Sequence, residues 1–242
     1  MATRARFLCL ACLSWLTVAA PAFATPSTQV WIPSTDVQKF GVVHLNDDVF
    51  ARPNKPTVLM LGPTVGVLPW TAVQAEVGFD MTLLGIRPLD DKPLYLHAKL
   101  GTPEDSLFPF SPALAVGIFN AGIDPGATDQ NVGYAVVARN LPVVGRLSAG
   151  YFYGNPDLLV DENGKAANHG LLLSWDRTLT EIHEKLWAAV DFQGGQSGLA
   201  AINGGLSWAF TPDIAVLVGY DHYLNADIAG DDTFTVQLDL NL

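Results

Sequence analysis

Five histidines, a serine and an aspartate two residues apart, and one acid-rich stretch are the places where this chain could do chemistry. Hydrolysis by a serine needs a histidine within reach of its hydroxyl and a carboxylate to orient that histidine. Ser174 and Asp176 would share one face of an extended segment, but the neighbouring His169 has the opposite parity. That segment cannot assemble a triad by itself, and one drawn from separate strands stays open. The histidines stand in His44-Leu45-Asn46, His97-Ala98-Lys99, His169-Gly170-Leu171, His183-Glu184-Lys185 and His222-Tyr223-Leu224. None has a serine two residues on, and His183-Glu184 lacks the second histidine of a zinc-binding H-E-x-x-H helix. Asp157, Asp161, Glu162 and Asn163, ahead of Gly164, offer oxygen ligands for Ca²⁺. With Gly164 in the glycine position of an EF-hand loop, however, Leu159 falls where the first carboxylate belongs. The expectation is a solvated loop there and at Asp231 and Asp232, with no catalytic residue, no metal site and no cofactor.

The elements that would position any site begin after a targeting segment. Arg4 and Arg6 precede an apolar run from Phe7 to Ala20, and Ala22-Phe23-Ala24 reads as a cleavage site, so residues 1–24 are expected to be a cleaved signal peptide. Cys9 and Cys12 both fall inside it, which leaves no thiol for a disulfide, a metal or a nucleophile in the remainder. Of the 242 residues 49% are hydrophobic and only 15% charged, the opposite of a disordered chain. Beyond the leader no apolar run approaches the roughly 18 residues of a membrane-crossing helix. Acids outnumber bases, 24 Asp+Glu against 13 Lys+Arg, so a nucleic-acid partner is not expected.

The apolar residues recur with a period of two. From Thr233 to Leu242 polar and apolar residues alternate without a break, and the pattern returns in Val73 to Thr82, Leu94 to Leu100, Arg146 to Tyr151, Lys185 to Phe192 and Ile202 to Phe210. The spacing predicts about twelve strands, with 10–14 as the range: 38–47, 57–66, 72–84, 93–101, 112–121, 131–140, 145–154, 168–177, 184–194, 200–210, 214–224 and 233–242. Each is close to the roughly 9–11 residues that a tilted strand needs to cross a bilayer. Short turns alternate with longer polar loops, the long stretch from Thr102 to Ser111 being an exception. A soluble sandwich would bury both apolar faces and carry more charge. Trp70, Tyr151, Tyr153, Trp175, Trp208, Phe210, Tyr220 and Tyr223 sit near strand ends, where interfacial girdles are expected. The fold class expected is all-β, an antiparallel transmembrane β-barrel over 38–242, preceded by a periplasmic lead-in over 25–37.

The chain resembles bacterial outer-membrane β-barrel proteins. More narrowly, it is similar to a group of Gram-negative envelope barrels that share A-T-P-S-T-Q-x-W-x-P-S-T-D, P-A-L-A-V-G and L-V-D-E-N-G stretches, here Ala24 to Asp36, Pro112 to Gly117 and Leu159 to Gly164. The likeness runs over nearly the whole chain after the leader and implies the outer membrane of a Gram-negative bacterium, with lipid and lipopolysaccharide as surroundings, but no known activity. The C-terminal strand, Phe234 to Leu242, resembles the signal read by the barrel assembly machinery, although that signal usually ends in an aromatic residue rather than a leucine. Twelve-stranded outer-membrane phospholipases share this architecture and use a His-x-Ser pair with an asparagine, a pair missing here.

If the apolar parity faces lipid, the lumen receives Glu76, Asp80, Lys99, Arg139, Arg146, Asp176, Lys185, Asp191, Asp221 and Asp239 as its charged lining. Two arrangements are compatible with that list. In one, the groups line a narrow passive pore for small polar or cationic solutes. In the other, they pair across strands into a salt-bridged core, and the barrel is structural or binding rather than transporting. Residues 25–37, with Pro-Ser-Thr at 26–28 and again at 33–35, either lead in from the periplasm or fold back into the barrel mouth.

Overall fold

The computed structural model describes residues 27–53 and 55–242, so the expected signal peptide lies outside the described residues. The chain forms β1 (Val43–Ala51), β2 (Val58–Gly66), β3 (Gln74–Leu84), β4 (Arg87–Pro88), β5 (Leu94–Thr102), β6 (Ala113–Gly122) and β7 (Asp129–Leu141). It continues with β8 (Gly145–Tyr153), β9 (His169–Thr178), β10 (Leu186–Gln193), β11 (Ala201–Thr211), β12 (Ile214–Tyr223), α1 (Ala226–Ala229) and β13 (Thr233–Asn241). Each strand pairs antiparallel with its neighbours, and β1 closes the ring by pairing with both β2 and β13. β4 is a two-residue extension on the end of β3, so the closed barrel has 12 strands. Closure satisfies the backbone N–H and C=O groups that an open sheet would leave at its edges.

Side chains alternate between the two faces. On β9, Leu171 is 52% exposed on the outside while Leu172, one residue on, is fully buried inside. On β13, Phe234 and Val236 point out and Thr233, Thr235, Gln237 and Asp239 point in. The outer surface is therefore largely apolar. Asp47 interrupts it: this exposed carboxylate lies midway along β1, between Leu61 and Leu238. Tyr223, expected in an outer aromatic girdle, instead faces inward at 6% exposure.

Strand limits match the period-two reading closely except at β1, where 38–47 is predicted and Val43–Ala51 is observed. The consecutive acids Asp47 and Asp48 look like the start of a loop, but the strand runs through them with Asp47 outside and Asp48 inside. The inner face also departs from uniform polarity. Val132, Tyr134 and Val136 of β7, Phe152 of β8 and Leu172 of β9 form an apolar cluster inside the barrel with Ile32, Leu159 and Leu199. Both faces of β7 are apolar, so alternation could not show which one packs inward. The long turn after β5 is tied down by Arg139, whose Nη1 donates to Asp105 Oδ1 at 2.9 Å and to the Ser111 carbonyl at 2.9 Å.

Large inward side chains need room across the ladder, and glycine supplies it. A Cβ added at Gly117 would lie 2.6 Å from the Tyr134 hydroxyl, so the tyrosine ring fits only over a bare backbone. Gly117→Ala is expected to cost about 1–3 kcal/mol by overpacking, measured as a lower urea midpoint of the refolded barrel with an unchanged m-value.

Candidate functional site in the barrel lumen

Of the two placements open for residues 25–37, the described part takes the second: from Ser27 the segment lies inside the barrel. Thr28 pairs with Pro33, Gln29 N donates to the Ile32 carbonyl at 2.7 Å, and Ser34 N donates to the Ser27 carbonyl at 3.1 Å. These bonds make a short hairpin with Val30 and Trp31 at its tip, and the two Pro-Ser-Thr triplets flank it. It enters from the end of the barrel where β1 begins and β13 finishes, since Phe40 pairs there with Gly66 before the chain turns into β1.

The tip is held by one carboxylate. Asp191 Oδ2 accepts the backbone N–H groups of Val30 at 2.8 Å, Trp31 at 2.8 Å and Ile32 at 3.4 Å, and its Oδ1 accepts from Asn203 Nδ2 at 2.6 Å. From the other side Gln237 Nε2 donates to the Val30 carbonyl at 2.8 Å. Trp31 packs edge-on against Phe50 and Tyr223, with ring centroids 5.6 and 5.8 Å away, and Ile32 joins the apolar cluster of β7 to β9.

The base of the hairpin is held by ion pairs. Lys99 Nζ lies 3.0 Å from Glu76 Oε1 and donates to the carbonyls of Ser27 and Asp36, at 2.7 Å each, so one ammonium clamps both arms. Glu76 in turn accepts from the Ser27 hydroxyl at 2.9 Å and the Gln38 N–H at 2.7 Å. Arg146 bridges Asp36 and Asp176, at 2.7 and 2.9 Å, and Gln29 Nε2 donates to Asp176 Oδ1 at 3.1 Å.

Five of the sequence-predicted lining residues, Glu76, Lys99, Arg146, Asp176 and Asp191, thus grip the hairpin. Asp80 and Asp239 face the remaining lumen, each beside a histidine: His97 Nδ1 is 3.3 Å from Asp80 and His44 Nε2 is 3.3 Å from Asp239. Asp221 is fully buried and accepts from the Thr233 hydroxyl at 2.7 Å. Two residues stand elsewhere. Arg139 belongs to the rim, as described above. Lys185 is half-buried in the turn before β10, where it donates to the Phe210 carbonyl at 3.2 Å, because the strand begins one residue later than the alternation suggests.

Two cavities flank the hairpin. A cavity of about 600 Å³ lies between the hairpin and β1, β2, β3, β5 and β6, and a second of about 660 Å³ lies beneath the hairpin, bordered by Asp36, Gln38, Arg146 and Leu242. The hairpin base, with Lys99 and Arg146, stands between them.

No protein-family model and no curated protein sequence matches this chain. Solved structures do resemble it in shape. A NanC porin is 10% identical with a TM-score of 0.48, over 82% of this chain and 100% of that one. An outer membrane channel from Pseudomonas putida F1 is 11% identical with a TM-score of 0.47, over 86% and 98%. OmpF from Salmonella typhi, in complex with daunomycin, is 9% identical with a TM-score of 0.42, over 83% and 96%.

The chemistry weighed from sequence finds these partners. His97 Nε2 is 2.7 Å from Thr64 Oγ1, so an acid, an imidazole and a hydroxyl stand in line on the lumen wall, with threonine rather than serine at the end. His169 is bonded to Tyr151 at 2.7 Å on the outside, and His183 packs at a tilt against Trp208, with ring centroids 4.6 Å apart. Among the described residues no group of His, Asp and Glu is placed to hold a metal ion. Asp161 accepts the backbone N–H groups of Lys165 and Asn163, at 2.9 Å each, and the Lys165 bond leads in holding its pKa below the ordinary carboxylate value. In the loop before β13, Asp232 accepts from Tyr220, His222 and the Tyr223 N–H, which together outweigh its partial burial and lower its pKa.

Because Asp191 satisfies three N–H groups that no strand ladder reaches, Asp191→Ala should release the hairpin tip at a cost of about 2–4 kcal/mol. The measurement is protease sensitivity at residues 28–38 together with a red shift of Trp31 fluorescence. Unchanged protection in a folded variant would show that the base clamps alone hold the segment.

Proposed function

We propose that the protein sits in the outer membrane of a Gram-negative bacterium as a narrow passage for small polar or cationic solutes, constricted by its own N-terminal hairpin. The observation that carries this reading is the division of the lumen. A purely structural barrel has no need of two chambers totalling more space than a core tolerates, whereas a passage needs chambers on either side of its narrowest point. The apolar outer face suits lipid, and acids on the inner wall favour cations over anions. Under the same reading the loops opposite the hairpin's entry contact lipopolysaccharide, and the strand ending at Leu242 is what the assembly machinery recognises.

The clamps support a second reading, a closed barrel that transports nothing. Glu76, Lys99, Arg146, Asp36 and Asp176 cross the lumen as one bonded network. Breaking such a network by removing one partner costs about 3–5 kcal/mol, enough to keep the hairpin in place.

Planar-bilayer recording of the refolded chain from Thr25 onward separates the two. Small, cation-selective steps are expected, and deletion of residues 25–38 should raise the unit conductance at least several-fold. Silence from both proteins would leave the closed barrel. Migration on a gel that shifts on boiling is expected for both, as the check that each has closed into a barrel.

A further inference from the structure

The chamber between the hairpin and β1 to β6 carries features that the passage of small ions does not require. Asp48 lies on the inward row of β1, opposite Gln237 and Met60, and lines this cavity. Asp80 has Asn46 Nδ2 at 3.0 Å and His97, and Asp239 has His44, but the Asp48 side chain makes no hydrogen bond or ion pair among the described residues. The other acids of the chamber are close enough to add repulsion. An unmatched carboxylate deep in a barrel is costly unless it takes up a proton or a cation joins it.

Neither the lysine nor the arginine of the chamber pairs with Asp48. Lys99 is clamped to Glu76 and the hairpin, and Arg52 stands at the loop end near Tyr223. Much of the remaining wall is aromatic: Trp31, Phe50, Tyr95, Phe119 and Tyr134 all line it. Ring faces attract cations and also shelter apolar groups. A volume of about 600 Å³ falls within the range of sites that enclose drug-sized ligands. A bare metal ion fits less well, because no three acidic or histidine groups converge on one point among the described residues.

We propose that this chamber is a binding site for an organic cation, a protonated amine carried on a compact aromatic or aliphatic body, with Asp48 receiving the ammonium and the aromatic wall receiving the body. The inference deepens the passage reading by naming the class of solute, and it rests on that reading only for how the ligand arrives. Trp31 belongs to both the hairpin tip and the wall, so a bound ligand touches the segment that constricts the lumen.

The test is calorimetric titration of the refolded chain in detergent micelles with phenethylammonium chloride and, separately, with sodium 3-phenylpropionate, which keeps the ring and reverses the charge. Saturable one-to-one binding of the amine is expected, at least tenfold tighter than the acid, and weakened at least tenfold by Asp48→Asn. Equal binding of the two probes, or an Asp48→Asn barrel that migrates as folded and binds the amine as tightly as the parent, overturns the site. Since the comparison of probes uses the unaltered chain, it decides the matter even if the variant does not fold. Bilayer recording keeps the two proposals apart. Amine binding without conductance removes the passage and leaves the site, whereas conductance with no saturable amine binding removes the site and leaves the passage.

Discussion

Asp191 stands where a closed barrel tolerates an unpaired charge least, and the tip of the hairpin is a turn whose N–H groups have no ladder to join. Each satisfies the other. Hydrogen bonds to a charged acceptor contribute about 1.5–3 kcal/mol apiece before non-additivity, which is comparable with the cost of ordering the three tip residues at about 1–2 kcal/mol each. The contact also works at a distance in sequence that no local rule anticipates: Val30 and Asp191 are 161 residues apart. Without that carboxylate, residues 27–38 would have a clamp at the base and only the Gln237 bond to the Val30 carbonyl at the tip.

The position of Asp191 is itself set by register. Ser174, Asp191, Asn203, Asp221 and Thr233 are successive ladder partners from β9 to β13, so they form one inward row across five strands. A slip of one residue in β10 would turn Asp191 outward and strand the hairpin. Two residues nearer the hairpin's entry, Arg146 is opposite Asp176 across the β8–β9 ladder, and on another part of the wall Glu76 is opposite Lys99 across β3–β5. Barrel closure and hairpin docking are therefore the same constraint seen from two sides: the ladders fix the heights at which the inward charges stand, and the hairpin matches them.

Much of the barrel was legible because alternation is a direct readout of facing, and it needs no long-range information. It fails where facing is ambiguous. β7 is apolar on both sides, so the inward cluster that receives Ile32 was hidden. At β1, two acids in succession mimic a loop although the strand holds one on each face. Lys185 follows the alternating parity but precedes the first ladder pair of its strand, and Arg139 reaches the rim because it serves the long turn after β5. The hairpin left only a faint trace, the paired Pro-Ser-Thr triplets around an apolar Val-Trp-Ile tip. Its docking depends on which distant acid shares its level, and spacing within the segment does not encode that.

The inner wall is unequal, and that inequality explains why space remains. β7 to β9 offer Val132, Phe152 and Leu172, and Leu217 of β12 contacts Val30, so the tip gains apolar burial by leaning toward that side. The opposite wall, from β1 to β5, carries Asp48, Asp80, His44 and His97, where an apolar tip would desolvate charges without pairing them. The hairpin accordingly sits off-centre, and the chamber opens against the acidic wall rather than around the axis. Any solute moving through the lumen must pass along that wall, with Trp31 of the hairpin on its other side. Selection by charge and selection by apolar contact then act at the same place, which a centred plug or an empty barrel would not achieve.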